Sequence, residues 1–388
     1  MKTIVCLLLC ALLLCSCFPA VAAAAQPGAK AQQLLAAMGL REKIGQLLII
    51  RPDALETALT LEQINDNYQY GITACSAAMR AALAEYPVGG VIIFGKNLES
   101  PAQLQALLSD LQSGSAVPLF TAVDEEGGRV ARIARNDAFQ SVHYDSMEAV
   151  GATGDPQAAR QAGAAIAGYL KPYGFNLDFA PVADVNSNPA NIVIGDRSFG
   201  SDPAMVAQMV AAAVAGLQDE GIIACIKHFP GHGDTAADTH EGFVAVTKTW
   251  EQLQDVELVP FRAGIDAGVG MVMVAHITME NAATDGLPAS LSSQIINGRL
   301  RGELGYDGVV VVDALSMGAI AKNYTSAQAA VLVVQAGADI VLMPYSLPEA
   351  FNALLQAVQS GEISEARIDE SVLRILTLKE AFGLLDTQ

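Results

Sequence analysis

The chain has 388 residues, a formal net charge of −19 and a hydrophobic content of 52%. That hydrophobicity excludes a disordered polymer, and the acidity, with no basic cluster anywhere, excludes nucleic acid and anionic membrane surfaces as partners. The length suits two average domains or one α/β barrel.

The first residues read as an export leader. Lys2 precedes the apolar run Ile4–Leu14, and small residues follow through Ala25, which is the order of n-region, h-region and cleavage zone. The run is shorter than the roughly 20 residues of a membrane span. Ala20–Ala25 fits an A-x-A cut, so residues 1–25 are the signal peptide and the mature chain starts near Gln26. Leu14-Cys15-Ser16-Cys17 also fits a lipoprotein box, in which Cys17 carries a lipid anchor. Soluble export is preferred over lipidation; either route predicts a periplasmic, cell-surface or secreted protein. Four cysteines (Cys6, Cys10, Cys15, Cys17) lie in the leader, leaving Cys75 and Cys225. Two cysteines so far apart do not make a disulfide scaffold, and Cys225, in an apolar run, reads as a buried small hydrophobe.

Residues 26–388 contain no Ser/Pro-rich linker and no short repeat. Apolar runs recur at Leu47–Ile50, Val88–Phe94, Pro118–Val123, Leu177–Val182, Ile222–Ile226, Val269–Ala275, Gly308–Val312 and Asp339–Met343. They are short, rich in Val and Ile, and apolar at successive positions, as strands covered on both faces are. Helix-like stretches alternate with them: Ala102–Leu111, Asp155–Leu170, Pro203–Leu217, Trp250–Ala267 and Ala327–Ala336. Residues from about Asp53 to Tyr86 form a longer helical insertion after the first strand, placed over a barrel end. Its role, pocket wall or partner contact, stays open.

Eight strands alternating with helices make a closed barrel or an open doubly wound sheet. Asp124, Asp184, Lys227-His228, His276 and Asp313 each stand where an apolar run ends. Reactive side chains at the ends of many strands are how a barrel builds its site. An open sheet concentrates them at one switch point beside a Gly-rich phosphate loop, and no such loop is present. The expected fold is therefore α/β: one (β/α)8 (TIM) barrel as a single catalytic domain over residues 26–388.

Three segments carry chemistry. In Lys227–His240 (KHFPGHGDTAADTH) stand three of the five histidines of the chain, and Pro230, Gly231 and Gly233 force an irregular loop at the barrel mouth. His228, His232, Asp238 and His240 are nominal metal ligands, but the spacing is not a helical H-E-x-x-H and Pro230 and Gly231 preclude a helix there. No metal and no cofactor is expected. Asp238 and His240 instead suit acid/base work: the carboxylate fixes the imidazole tautomer, and the other ring nitrogen moves a proton near neutral pH. Asp313, after Val309–Val312, is held rigidly at a strand end, as a nucleophile must be; the alternative is a helix N-cap. In Asp124–Arg132 (DEEGGRVAR) the glycine pair admits close approach of a ligand; the alternative is a charged, solvated turn.

At these residues the chain resembles the β-N-acetylhexosaminidases of glycoside hydrolase family 3. The matching segments are Lys227–Gly233 with Asp238-Thr239-His240, Asp124–Arg132, Leu177–Asn186, Asn188–Pro203 and Gly308–Met317, in family order. The resemblance implies a (β/α)8 barrel and a retaining two-step mechanism on an amino-sugar oligosaccharide. It implies Asp313 as the residue that forms the glycosyl-enzyme and His240, paired with Asp238, as acid/base. Asp124, Arg132, Arg197, Lys227 and His228 match positions that hold the sugar. The chain departs from the family where S-D-D is common, carrying Val312-Asp313-Ala314. The β-glucosidases of the family usually carry a second α/β domain, for which this chain leaves no room. Four alternatives remain: a β-glucosidase of the same family, substrate-assisted hydrolysis through the adjacent Asp124 and Glu125, phosphorolysis, and an exported sugar-binding protein. Peptidoglycan fragments and chitin-type oligosaccharides both offer terminal β-N-acetylglucosamine, and oligomeric state is not legible.

Overall fold

The computed structural model describes residues 27–235 and 244–386. The leader, with Cys17, and the expected acid/base pair Asp238 and His240 lie outside the described residues.

Eight parallel strands form the barrel: β1 (Leu48–Ile50), β2 (Gly90–Ile93), β3 (Phe120–Val123), β4 (Leu177–Asp178), β5 (Ile223–Phe229), β6 (Met271–Val274), β7 (Val309–Val312) and β8 (Val341–Leu342). Each pairs with its chain neighbour, and β1 also pairs with β8. A parallel bridge between Val311 and Ile340 closes the ring. Every residue of these strands is buried, so each apolar run of the sequence became a strand. The run Leu177–Val182 forms a regular ladder only at its start; Pro181 has no N–H to donate, and pairing resumes at Val182 opposite Lys227.

Helices cover the outside. Several start at a cap followed by proline: Ser100 Oγ accepts from Gln103 N, Asp155 from Gln157 N and Asp202 from Met205 N, with Pro101, Pro156 and Pro203 next. The side-chain oxygen satisfies an otherwise orphaned amide, and proline supplies the helical φ where no N–H is needed. The stretch Trp250–Ala267 divides into Trp250–Asp255 and Leu258–Asp266. Val256, with φ −130° and ψ −74°, breaks it. Cys75 and Cys225 are free and buried, Cys225 as its apolar run implies.

The insertion holds a 3-10 turn (Pro52–Leu55) and helices Leu61–Asn65 and Ala77–Glu85. It sits at the C-terminal ends of the strands, because Arg51 after β1, Lys96 after β2 and Tyr345 after β8 all hydrogen-bond its residues 64–67. At the opposite end Lys379 is fully buried, its Nζ 2.8 Å from Gln46 Oε1, 3.0 Å from Gly89 O and 4.7 Å from the Phe120 ring centroid.

Candidate active site

The site begins with the hairpin that follows β3. Glu125–Gly127 pairs antiparallel with Val130–Ala131, turning on Gly127 (φ 84°) and Gly128 (φ 64°), a backbone region closed to most side chains. The hairpin sends three consecutive carboxylates to three places. Asp124 faces the mouth, where its Oδ1 lies 2.9 Å from Lys227 Nζ and its Oδ2 3.6 Å from Arg132 Nη2. Glu125 turns into the protein and accepts from the amides of Arg132, Ile133 and Ala134 and from the Tyr169 hydroxyl. Glu126 returns to the site, bound twice by Arg197 at 2.8 Å and by Lys227 at 2.7 Å.

Lys227 and His228 are set by β5. Phe229 next to them is fully buried, edge-on to Phe261 at 5.3 Å, which fixes the strand end. His228 Nδ1 lies 2.7 Å from Asp184 Oδ2, and its Nε2 lies 3.3 Å from Arg197 Nη2. A guanidinium can only donate, so Nε2 accepts and Nδ1–H donates to Asp184. Asp184, fully buried, also accepts from the amides of His228 and His232.

Arg197 comes from the turn Gly195–Arg197 in the loop after β4. Asn191 holds that loop: its Oδ1 accepts from Val193 N and Ile194 N while its Nδ2 donates to His232 O. Arg129 binds the same loop through the carbonyls of Ile192, Val193 and Ile194 and is scaffolding.

Asp313 ends β7. Its N–H donates to Val274 O of β6, and its Oδ1 accepts from Ala314 N at 2.8 Å. The next helix, Gly318–Ala321, is capped at Met317, so Asp313 is no N-cap. His276 from β6 donates through Nε2 to Ala314 O at 3.0 Å, with Ser290 Oγ on Nδ1 at 2.7 Å. This ties down the backbone that carries the nucleophile candidate.

Charge balance dominates the electrostatics. Burial pushes the Glu126 carboxyl up, but Arg197 and Lys227 hold it far below the ordinary range. Burial likewise works against the Lys227 ammonium, and Asp124 and Glu126 more than offset it, so its pKa is raised. For Asp184 burial is outweighed by His228 and His232, and for Asp313 by His276, His228, the Ala314 amide and Lys227; both carboxyls lie below their usual value. Burial depresses His232.

The structure thus brings together Asp124, Arg132, Arg197, Lys227, His228 and Asp313. The sequence reading missed Glu126 as the counter-ion of two cations and Asp184 as the partner that orients His228. Asp184 carried a signal, since it ends an apolar run. Glu126 stood within DEEGGR with nothing to separate it from Glu125.

A parallel barrel with a strand-end carboxylate and a set of ion-paired polar side chains gathered at its C-terminal mouth is how barrel enzymes build an active site. The chain belongs to glycosyl hydrolase family 3: the family's description, "Glycosyl hydrolase family 3 N terminal domain", matches residues 39–378. It is 37% identical over 341 residues to β-hexosaminidase A of Pseudoalteromonas piscicida, covering 79% of this chain and 56% of that protein. To the β-hexosaminidase of Nitrosomonas eutropha it is 36% identical over 321 residues, covering 79% and 90%. The structure of a family 3 β-N-acetylglucosaminidase from Paenibacillus superposes with a TM-score of 0.82 at 41% identity, covering 90% of this chain and 64% of that one. The chain thus spans less than two thirds of the length of the Pseudoalteromonas and Paenibacillus proteins.

Proposed function

We propose that this chain is a retaining β-N-acetylhexosaminidase that releases terminal β-linked N-acetylglucosamine from peptidoglycan fragments or chitin-type oligosaccharides. The observation that carries the reading is Asp313: a carboxylate whose pKa lies below the usual value despite its burial, with the Ala314 amide and Lys227 among its partners, clamped at the end of β7 and excluded from a capping role. In the first step an Asp313 oxygen attacks the anomeric carbon as the glycosidic C–O bond breaks, and His240 delivers a proton to the leaving oxygen. In the second step water attacks the same carbon, His240 takes its proton, and the bond to Asp313 breaks. Asp238 holds the His240 ring. Asp124, Arg132, Arg197, Lys227 and His228 hold the sugar. Domain and compartment follow the sequence reading: one catalytic domain over residues 26–388, exported behind residues 1–25, with lipidation at Cys17 as the competing route. Cell fractionation and the mass of the mature N-terminus separate those routes.

Substrate-assisted hydrolysis through Asp124 and Glu125 loses support, because Glu125 is buried with four donors on its carboxylate and faces away from the mouth. The test compares initial rates on chromogenic β-N-acetylglucosaminide and β-glucoside for wild type and Asp313→Ala, with and without phosphate. The proposal requires preference for the acetamido sugar, a loss of several orders of magnitude in the variant, and free sugar as product. Full activity in folded Asp313→Ala overturns the nucleophile. Phosphate-dependent release of sugar 1-phosphate replaces hydrolysis by phosphorolysis, and saturable binding without turnover makes the chain a sugar-binding protein.

A further inference from the structure

Arg132 keeps an unusual company. Its Nε is buried and has no hydrogen-bond partner among the described residues, and its Nη2 reaches Asp124 Oδ2 only at 3.6 Å. Its guanidinium carbon instead lies 5.3 Å from the centroid of Phe94, the residue after β2. Against the same ring, at 4.5 Å, lies the guanidinium of Arg51, the residue after β1. Arg51 is only 4% exposed and pairs with no carboxylate among the described residues; its Nη1 donates to Ile64 O and Asp66 O, and its Nη2 to Asn67 Oδ1. Burial lowers its pKa to about 10, with Asp53 and Asp66 acting the other way.

We infer that Arg51 and Phe94 are positioning residues for Arg132, and that the insertion of residues 53–86 serves the sugar site by holding them there. This rests on the reading that Arg132 contacts the substrate. An aromatic face attracts a guanidinium, and the attraction strengthens where water is excluded. A flat ring seats a planar cation in one orientation, so Phe94 limits the rotamers of Arg132 before substrate arrives, which removes an ordering cost from binding. Arg51 completes the seat in two ways. Its fork across two carbonyls and an amide ties the insertion to the end of β1, and its own face fixes the Phe94 ring. A lysine has neither the plane nor the fork. The insertion therefore reaches the substrate through a relay of three side chains, from Arg51 to Phe94 to Arg132.

A double-mutant cycle tests this: wild type, Phe94→Leu, Arg132→Met and the double variant, each read for KM, kcat and calorimetric affinity for N-acetylglucosamine. Phe94→Leu is expected to raise KM roughly fivefold to twentyfold with kcat nearly unchanged, and to have no further effect once Arg132 is gone. Phe94→Tyr, which keeps the ring, restores the wild-type KM, and Arg51→Lys reproduces the KM defect. Additive effects in the cycle, or an unchanged KM in Phe94→Leu, overturn the inference. Turnover by the wild type tests the activity itself. Should turnover be absent, the cycle is read on sugar affinity alone, so the two failures stay distinct. No binding of N-acetylglucosamine to the wild type removes both.

Discussion

Lys227 Nζ lies 2.7 Å from Glu126 Oε1, with both side chains almost wholly out of water. Because Arg197 shares that carboxylate, one negative charge answers two buried cations, and Asp124 supplies the rest. Replacing Glu126 by Gln keeps the shape and removes the charge. Leaving a buried cation unmatched costs about 3–5 kcal/mol, so Glu126→Gln is expected to melt well below wild type and to bind substrate poorly even where folded. Thermal melting and KM measured together check this; an unchanged melting temperature rules out the counter-ion role.

Asp184 sets the tautomer of His228. In Asp184→Asn the amide N–H faces Nδ1, the proton moves to Nε2, and two donors then oppose each other at Arg197. One mismatched buried donor costs about 1–3 kcal/mol, so KM is expected to rise roughly tenfold to a hundredfold. The 15N shifts of the His228 ring report the tautomer directly. The same pair shapes acid stability. The folded-state pKa of Asp184, as of Glu126 and Asp313, lies below its unfolded value, so their stabilisation is full above about pH 4 and is lost as pH falls through the folded values.

Lys379 acts in the opposite window. Burial alone depresses it to about 7, below the unfolded value of about 10.4. Between these values the unfolded chain binds the extra proton, so stability rises with pH from about 7 to about 10. Lys379→Met removes that dependence. The stability difference, variant minus wild type, is expected to grow by a few kcal/mol as pH falls from 10 to 7 and to stay flat below. Urea unfolding at pH 6, 8 and 10 reads it, and a difference constant across all three values would falsify the depressed pKa.

Gly233 precedes the segment that carries Asp238 and His240, the proposed acid/base pair. A Cβ there would lie 1.7 Å from Val185 O, so Gly233→Ala forces the backbone to move. Displacing an acid/base group by about 1 Å costs roughly a hundredfold in rate. The expected outcome is a large fall in kcat with a smaller change in KM. Equal activity would separate this loop from proton transfer.

Much of the fold was legible because strands covered on both faces need apolar side chains at successive positions, and here the runs are short, rich in Val and Ile and regularly separated by helix-like stretches. The site was legible where chemistry and local punctuation coincide, as at Lys227-His228 and Asp313. It was illegible where partners meet only through the closed ring: Glu126 and Arg197 are 71 residues apart in the chain, and no pattern links them. A parallel pair, Val244–Thr249 with Ile277–Asn281, went unforeseen although Val244-Ala245-Val246-Thr247 alternates buried and exposed, the period-two mark of a half-covered strand. The break at Val256 had a signal in Pro260, which offers no N–H to the Val256 carbonyl four residues earlier and is tolerated only in the first turn of the helix that follows.

The hairpin after β3 has a consequence for how this stretch tolerates change. Asp124, Glu125 and Glu126 are chemically near-equivalent, and only their order separates a ligand for the mouth, a fastener for the Arg132–Ala134 backbone, and a counter-ion for two cations. A substitution at one position disturbs one of these duties. A single inserted or deleted residue between Val123 and Gly127 shifts the reading frame of the hairpin and reassigns all three at once, so spacing here is under tighter constraint than identity.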